Sequence, residues 1–260
     1  MSMTIQEKTG RSPAPTRVPE AEALGAGATA KVGYWAGLLT AVWSIWFAAA
    51  FAPWIASMPE WRGISALAGW FEPLPYVAWV IPCLLLALTF PVLMVSIHLR
   101  APSDRRIWSL TALAFGGMYG AILSANYWLL ATVVREALEA GATDGLSWFV
   151  IGSPHTITGG LEGIGYGFMG LAALFGGLAF GDKGLEGWIR RLFVINGLSG
   201  LAGVIVLGMG DALPASFGFV GWLSLAAWNL TFPVATVLAA VLFRRTRQQV
   251  QQAGSLIEGN

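Results

Sequence analysis

The sequence predicts an all-α protein, a polytopic transmembrane helix bundle of six spans with both termini in the cytoplasm. Three observations carry this reading. Composition is the first: 56% of the residues are hydrophobic, 11% are charged and 13 are tryptophan, the balance of a chain whose solvent is mostly lipid. The second is a series of six apolar stretches, each long enough to cross a hydrocarbon core roughly 30 Å thick, which takes about 20 helical residues. The third is that the basic residues gather on alternate connections between those stretches.

Taken in order, residues 1–31 are rich in Ala, Pro, Thr, Gly and Glu and hold no apolar run before Val32. They read as a disordered cytoplasmic tail and not as a signal peptide. The first span runs from Val32 to Ile55; Pro53 follows the cleavage-like Ala50-Phe51-Ala52, so this span is expected to be retained. Residues 58–74 mix Trp61, Ile64, Leu67, Trp70 and Phe71 with charges, as an interfacial helix would. The second span runs from Leu74 to His98 and the third from Ile107 to Val133. Arg135, Glu136, Leu138 and Glu139 continue the third helix into water before a turn at Gly141 to Gly145. The fourth, fifth and sixth spans are Thr156 to Phe180, Trp188 to Met209 and Phe217 to Phe243. The spans make one domain, residues 32–243, and residues 244–260 form a cytoplasmic tail.

Charge sets the orientation. Lys8, Arg11, Arg17 and Lys31 precede the first span, Arg100, Arg105 and Arg106 follow the second, Lys183, Arg190 and Arg191 follow the fourth, and Arg244, Arg245 and Arg247 follow the sixth. Only Arg62 and Arg135 are left for the other side, beside Glu60, Glu72, Glu136, Glu139, Asp144 and Asp211. The positive-inside rule then places both termini in the cytoplasm, and the chain is expected in a bacterial inner membrane. A formal net charge of +1 gives no reason to expect nucleic acid or an acidic substrate. The single Cys83 excludes an intrachain disulfide and a cysteine-based metal site.

Leu-Thr-Phe-Pro-Val occurs at 88–92 and again at 230–234, on two helices that run toward the same side. A duplicated hairpin and coincidence both remain open. Pro91 and Pro233 are expected to kink their helices, since each lacks the amide hydrogen of the helical bond.

One carboxylate, Glu162, lies well inside a span, among glycines. An ionisable group in that setting marks a functional site by default, although it stands only about six residues, roughly 9 Å, from the outer end of its helix. Helical spacing puts His155, Gly159, Glu162 and Tyr166 along one face. The third span brings Ser124, Asn126 and Tyr127 to the same depth. A carboxylate with imidazole, amide and phenol neighbours suits a proton, a cation or a small polar ligand; it suits a hydrogen-bonded brace equally. Small residues suggest packing: Gly116, Gly120 and Ser124 form a stripe on the third span, and Gly159, Gly163 and Gly167 form one on the fourth. The two stripes match in depth and are expected to face each other in a close seam. Asn196 and Asn229 read as hydrogen-bond partners between helices, and His98 as a helix-end group.

The remaining chemistry is sparse. Two histidines and one cysteine are too few for a di-iron or bis-histidine haem centre, and no HExxH, Walker A or Gly-x-Ser-x-Gly pattern occurs. No metal and no cofactor is expected.

From Ser153 to Gly203 the chain carries Pro154-His155 at a helix start, Gly-x-Gly-Tyr-Gly-x-x-Gly-Leu from Gly163 to Leu171, a short basic turn, and Trp188-Ile-Arg-Arg-Leu-Phe-Val-Ile-Asn-Gly. This resembles uncharacterised bacterial multi-pass membrane proteins of the DUF4386 type. The resemblance covers about a fifth of the chain and implies only a compact bundle of six or seven helices, with no activity to transfer. The sequence departs from it in its abundance of tryptophan.

Three functions fit these residues. One is binding or transport of a cation, proton or small polar or amphiphilic ligand through an outward-facing pocket around Glu162. Another is a non-enzymatic accessory or sensory subunit. The third is a membrane-embedded acid/base enzyme, an isomerase or cyclase, using Glu162 and His155 on a lipophilic substrate. A non-enzymatic role is favoured, and the expected partners are membrane lipids together with a small molecule or another membrane protein.

Overall fold

A computed structural model describes residues 18–154, 156–209 and 218–258. The helices are α1 (Val18–Ser57), α2 (Ile64–Trp70), α3 (Pro73–Arg100), α4 (Arg106–Leu129), α5 (Arg135–Glu139), α6 (Ile157–Leu178), α7 (Gly184–Met209) and α8 (Gly218–Glu258). Among the described residues there is no strand, and six helices are long and apolar enough to cross a membrane. The protein is therefore a multi-pass helical membrane protein.

The helices extend beyond the apolar runs that announced them. Residues 18–31, read from sequence as disordered tail, belong to α1, and α8 continues through most of the expected C-terminal tail to Glu258. The one proline in these stretches, Pro19, stands in the first turn of α1, where its missing N–H costs no helical bond, and none follows it before Val32 or lies between Arg244 and Glu258, so nothing local stops a helix already nucleated in the span. Residues 1–17 lie outside the described residues.

The six spanning helices form a closed ring. Each packs on its neighbours in chain order, α1 on α3, α3 on α4, α4 on α6, α6 on α7 and α7 on α8, and α8 returns to pack on α1. A ring of helices needs something at its centre, and here aromatic rings from all six fill it. Phe90 of α3 meets Tyr119 of α4 with centroids 5.6 Å apart and Phe232 of α8 at 5.4 Å. Trp228 of α8 stacks on Phe232 at 5.2 Å and meets Phe47 of α1 and Tyr166 of α6 edge-on. Phe193 of α7 completes the plug against Phe232. Edge-to-face and stacked pairs of this kind are favourable beyond the area they bury.

The repeated Leu-Thr-Phe-Pro-Val segments supply Phe90 and Phe232, which meet at the centre. Each also ties its helix to the preceding span: Thr40 bonds Thr89 at 3.5 Å, and Asn196 Nδ2 donates to Thr231 Oγ1 at 3.2 Å. Asn196 thus plays the bridging part expected of it, whereas Asn229 donates to Leu225 O on its own helix.

Glycines set the closest seams, though not between the stripes that the sequence suggested. A Cβ on Gly120 would meet Pro91 Cγ at 2.7 Å and Ala87 O at 3.0 Å, and one on Gly116 would meet Met94 at 3.0 Å and Ala172 of α6 only at 3.9 Å, so this stripe faces mainly α3. Pro91 explains the niche: lacking an N–H, it leaves Ala87 O without its helical donor, and the glycine backbone lies against that oxygen. On the other stripe, Gly159 has only its own Thr156 nearby and Gly167 faces Val204 of α7. The seam between α4 and α6 runs instead through Gly165 against Leu123 and Gly176 against Ala112. The tightest backbone approach joins α6 and α7, where a Cβ on Gly197 would lie 2.6 Å from Gly170 O. Small-residue spacing marks a close approach without saying which neighbour makes it.

Candidate functional site

The two ends of the ring differ in how they treat charge. At the end that carries Arg100, Arg105, Lys183 and Arg190, Arg100 on α3 pairs with Glu186 on α7 at 2.5 Å, across the ring between helices that are not neighbours. Glu186 Oε2 also accepts from Gly181 N at 2.7 Å, Arg105 donates to Phe180 O, Arg190 pairs with Asp182, and His98 Nδ1 lies 3.0 Å from Ser109 Oγ. This end is laced shut.

Toward the opposite end the buried polar groups lack such partners. Thr156 caps α6, its side chain accepting from Gly159 N at 2.9 Å, and Thr158 donates to Phe149 O of the preceding loop at 3.0 Å. These bonds fix the first turn of α6 and with it the depth of Glu162. Glu162 is half-buried as a residue; its Oε1 is fully buried without a hydrogen-bond partner, while the Tyr127 hydroxyl lies within hydrogen-bonding reach of its carboxylate. One turn on, Tyr166 bonds Tyr127 of α4 through their hydroxyls at 2.7 Å. Tyr76 and Cys83, seven residues apart on one face of α3, are buried beside this group. The Tyr76 hydroxyl and Trp79 Nε1 are likewise buried without partners.

Aromatic rings wall this cluster. Trp79 packs edge-on to Tyr127 at 6.4 Å and to Tyr76 at 5.4 Å, and Trp54 of α1 lies 5.1 Å from Trp79. Trp70 of α2 covers Trp54 at 6.0 Å, and Phe71 covers Tyr76 at 5.2 Å, so the interfacial helix expected from residues 58–74 closes this end. Beyond α4, residues Leu130–Val134 form a π-helical turn that leads into α5, a feature often found beside functional sites.

Of the residues named from sequence, the structure brings Glu162, Tyr166 and Tyr127 together. Asn126 is buried and neither its Oδ1 nor its Nδ2 has a partner. Ser124 stands apart, its hydroxyl donating to Ala121 O on its own helix at 3.3 Å. His155 lies outside the described residues, and with it the second group that the acid/base reading requires. Tyr76, Cys83 and Trp79 were missed because each fits an apolar helix face; the seven-residue interval between Tyr76 and Cys83 was the available signal. A shallow hollow, partly open to solvent, lies at the same end among Met58, Arg62, Leu67 and Gly152. The described residues hold no group of three His, Cys, Asp or Glu able to bind a metal.

Comparison with protein-family models, with curated proteins and with solved structures gives no match.

Proposed function

We propose that the protein binds, and by binding transports, a cation, proton or small polar or amphiphilic molecule at the cluster around Glu162. The carrying observation is the buried Glu162 Oε1 without a partner, beside the bonded hydroxyls of Tyr127 and Tyr166. A polar atom taken out of water and left unpaired costs roughly 1–3 kcal/mol, more if charged. Glu186, which braces the other end, is by contrast paired with Arg100. A ligand that supplies the missing partner recovers that cost when it binds.

The ring is oriented, in this proposal, with the arginine-rich end in the cytoplasm and the Glu162 end toward the outside of a bacterial inner membrane, with lipids around its apolar face. The one-sided distribution of basic residues supports it. Labelling single cysteines placed in the 58–63 and 101–105 connections of the Cys83→Ala protein tests this in intact cells. Labelling of the first alone by an impermeant maleimide is expected; labelling of the second alone reverses the orientation.

The functional reading is tested by purifying wild type and Glu162→Gln and comparing the molecules that co-purify by native mass spectrometry, alongside thermal melting. The wild type is expected to retain a molecule that the variant loses, at similar melting temperatures. Identical bound molecules with a lower melting temperature in the variant would make Glu162 a structural brace and end the proposal.

A further inference from the structure

Resting on the ligand-site reading above, we infer that the ligand is a lipophilic organic cation, an ammonium group carrying an apolar body, received by Glu162 between the aromatic walls of Trp79, Tyr76 and Tyr127.

Three independent features select this class. The first is the missing counter-charge. Among the described residues no Lys or Arg pairs with Glu162, and a carboxyl group out of water stays charged only when an opposite charge meets it. Of the basic residues at this end, Arg135 is engaged by Glu136 and Glu139, and Arg62 is exposed on the loop.

The second is the wall. Trp54, Tyr76, Trp79 and Tyr127 form a chain of rings with centroids 5.1 to 6.4 Å apart, and ring faces attract quaternary and alkylated ammonium ions. A hard metal ion would want six or more oxygen ligands, whereas the described part of this site offers one carboxylate, the Tyr127 and Tyr166 hydroxyls bonded to each other, and the Tyr76 hydroxyl. A soft cation with an apolar body matches both the carboxylate and the rings.

The third is the rim. Glu60, Glu72, Glu136, Glu139 and Asp144 outnumber Arg62 and Arg135 among the described residues of this end, so the local field draws cations and repels anions. The same end holds the open hollow beside Leu67 of α2. Because Trp70 and Phe71 lie over Trp54 and Tyr76, displacement of α2 is the step that admits the ligand from this rim.

The test uses the full chain in lipid nanodiscs and a pair of probes of nearly equal shape, phenyltrimethylammonium and its neutral counterpart tert-butylbenzene, in equilibrium dialysis. The cation is expected to bind saturably and at least tenfold more tightly than the neutral probe. Glu162→Gln should weaken the cation at least tenfold and leave the neutral probe unchanged. Trp79→Leu should weaken the cation several-fold while Trp79→Phe, which keeps a ring, retains most of it. Equal affinity for both probes, or cation affinity untouched by Glu162→Gln, overturns the inference. Failure here does not touch the broader reading, because co-purifying molecules are identified separately; a neutral molecule held by wild type and lost in Glu162→Gln would keep the ligand site and remove only the cation.

Discussion

The two ends of this ring handle one problem, a carboxylate near a membrane boundary, in opposite ways. Glu186 is met by Arg100 and by the Gly181 amide, and its ion pair spans the ring from α3 to α7. Glu162 has a buried oxygen without a partner and rings for neighbours. The first arrangement spends polar groups on holding helices together. The second leaves them available, at a cost that the aromatic plug of Phe90, Trp228 and Phe232 helps to offset. The difference teaches that a buried charge is read by its partners more than by its depth.

The sharpest way to break this comparison is to make the same isosteric change at both ends. Glu162→Gln is expected to lower ligand retention at least tenfold with little change in melting, whereas Glu186→Gln should lower melting and leave ligand retention alone. Native mass spectrometry and thermal denaturation of both variants check this; a reversal would exchange the roles of the two ends. Next in size is Phe232→Ala, which removes the ring touching Phe90, Phe193 and Trp228. It should cost about 3–5 kcal/mol and disturb both ends together, since the plug belongs to neither. Denaturant titration in mild detergent measures it. Gly197→Ala should cost about 1–3 kcal/mol by forcing α6 and α7 apart, because its Cβ would sit 2.6 Å from Gly170 O. Arg100→Ala, which unpairs Glu186 in a partly exposed setting, should cost about 1 kcal/mol, less at high salt. The smallest change is Gly117→Ala. Nothing lies within 4 Å of a Cβ there, so gains in helix propensity of up to about 1 kcal/mol are unopposed.

The spans were legible because hydropathy is local, and each stretch from Val32 to Phe243 declares itself within its own length. The face shared by Glu162 and Tyr166 was legible for the same reason, and matching depth from the shared loop brought in Tyr127. Ring closure was not legible: the packing of Gly37 on Thr236 and Ala240 joins the first and last helices, and nothing near either residue announces the other. Nor was the direction of a glycine stripe, since Gly116 and Gly120 could have faced either neighbour and Pro91 decided it. Glu186 was not singled out from the sequence, because its partner, Arg100, lies 86 residues away. The lone carboxylate in a span stood out; the paired one did not, although both are near the boundary.

Because α8 closes against α1, the start of α1 and the last part of α8 run side by side, with a Cβ on Gly27 falling 3.9 Å from Val250. The order in which the helices are encoded is then one of several equivalent readings of a cyclic object. A gene opened in the short α3–α4 connection at residues 101–103, with the region near Gly27 spliced to that near Val250 through a brief linker, encodes the same six neighbours. It also keeps both new termini at the arginine-rich end, so the rearranged protein should enter the membrane the same way round and close into the same ring.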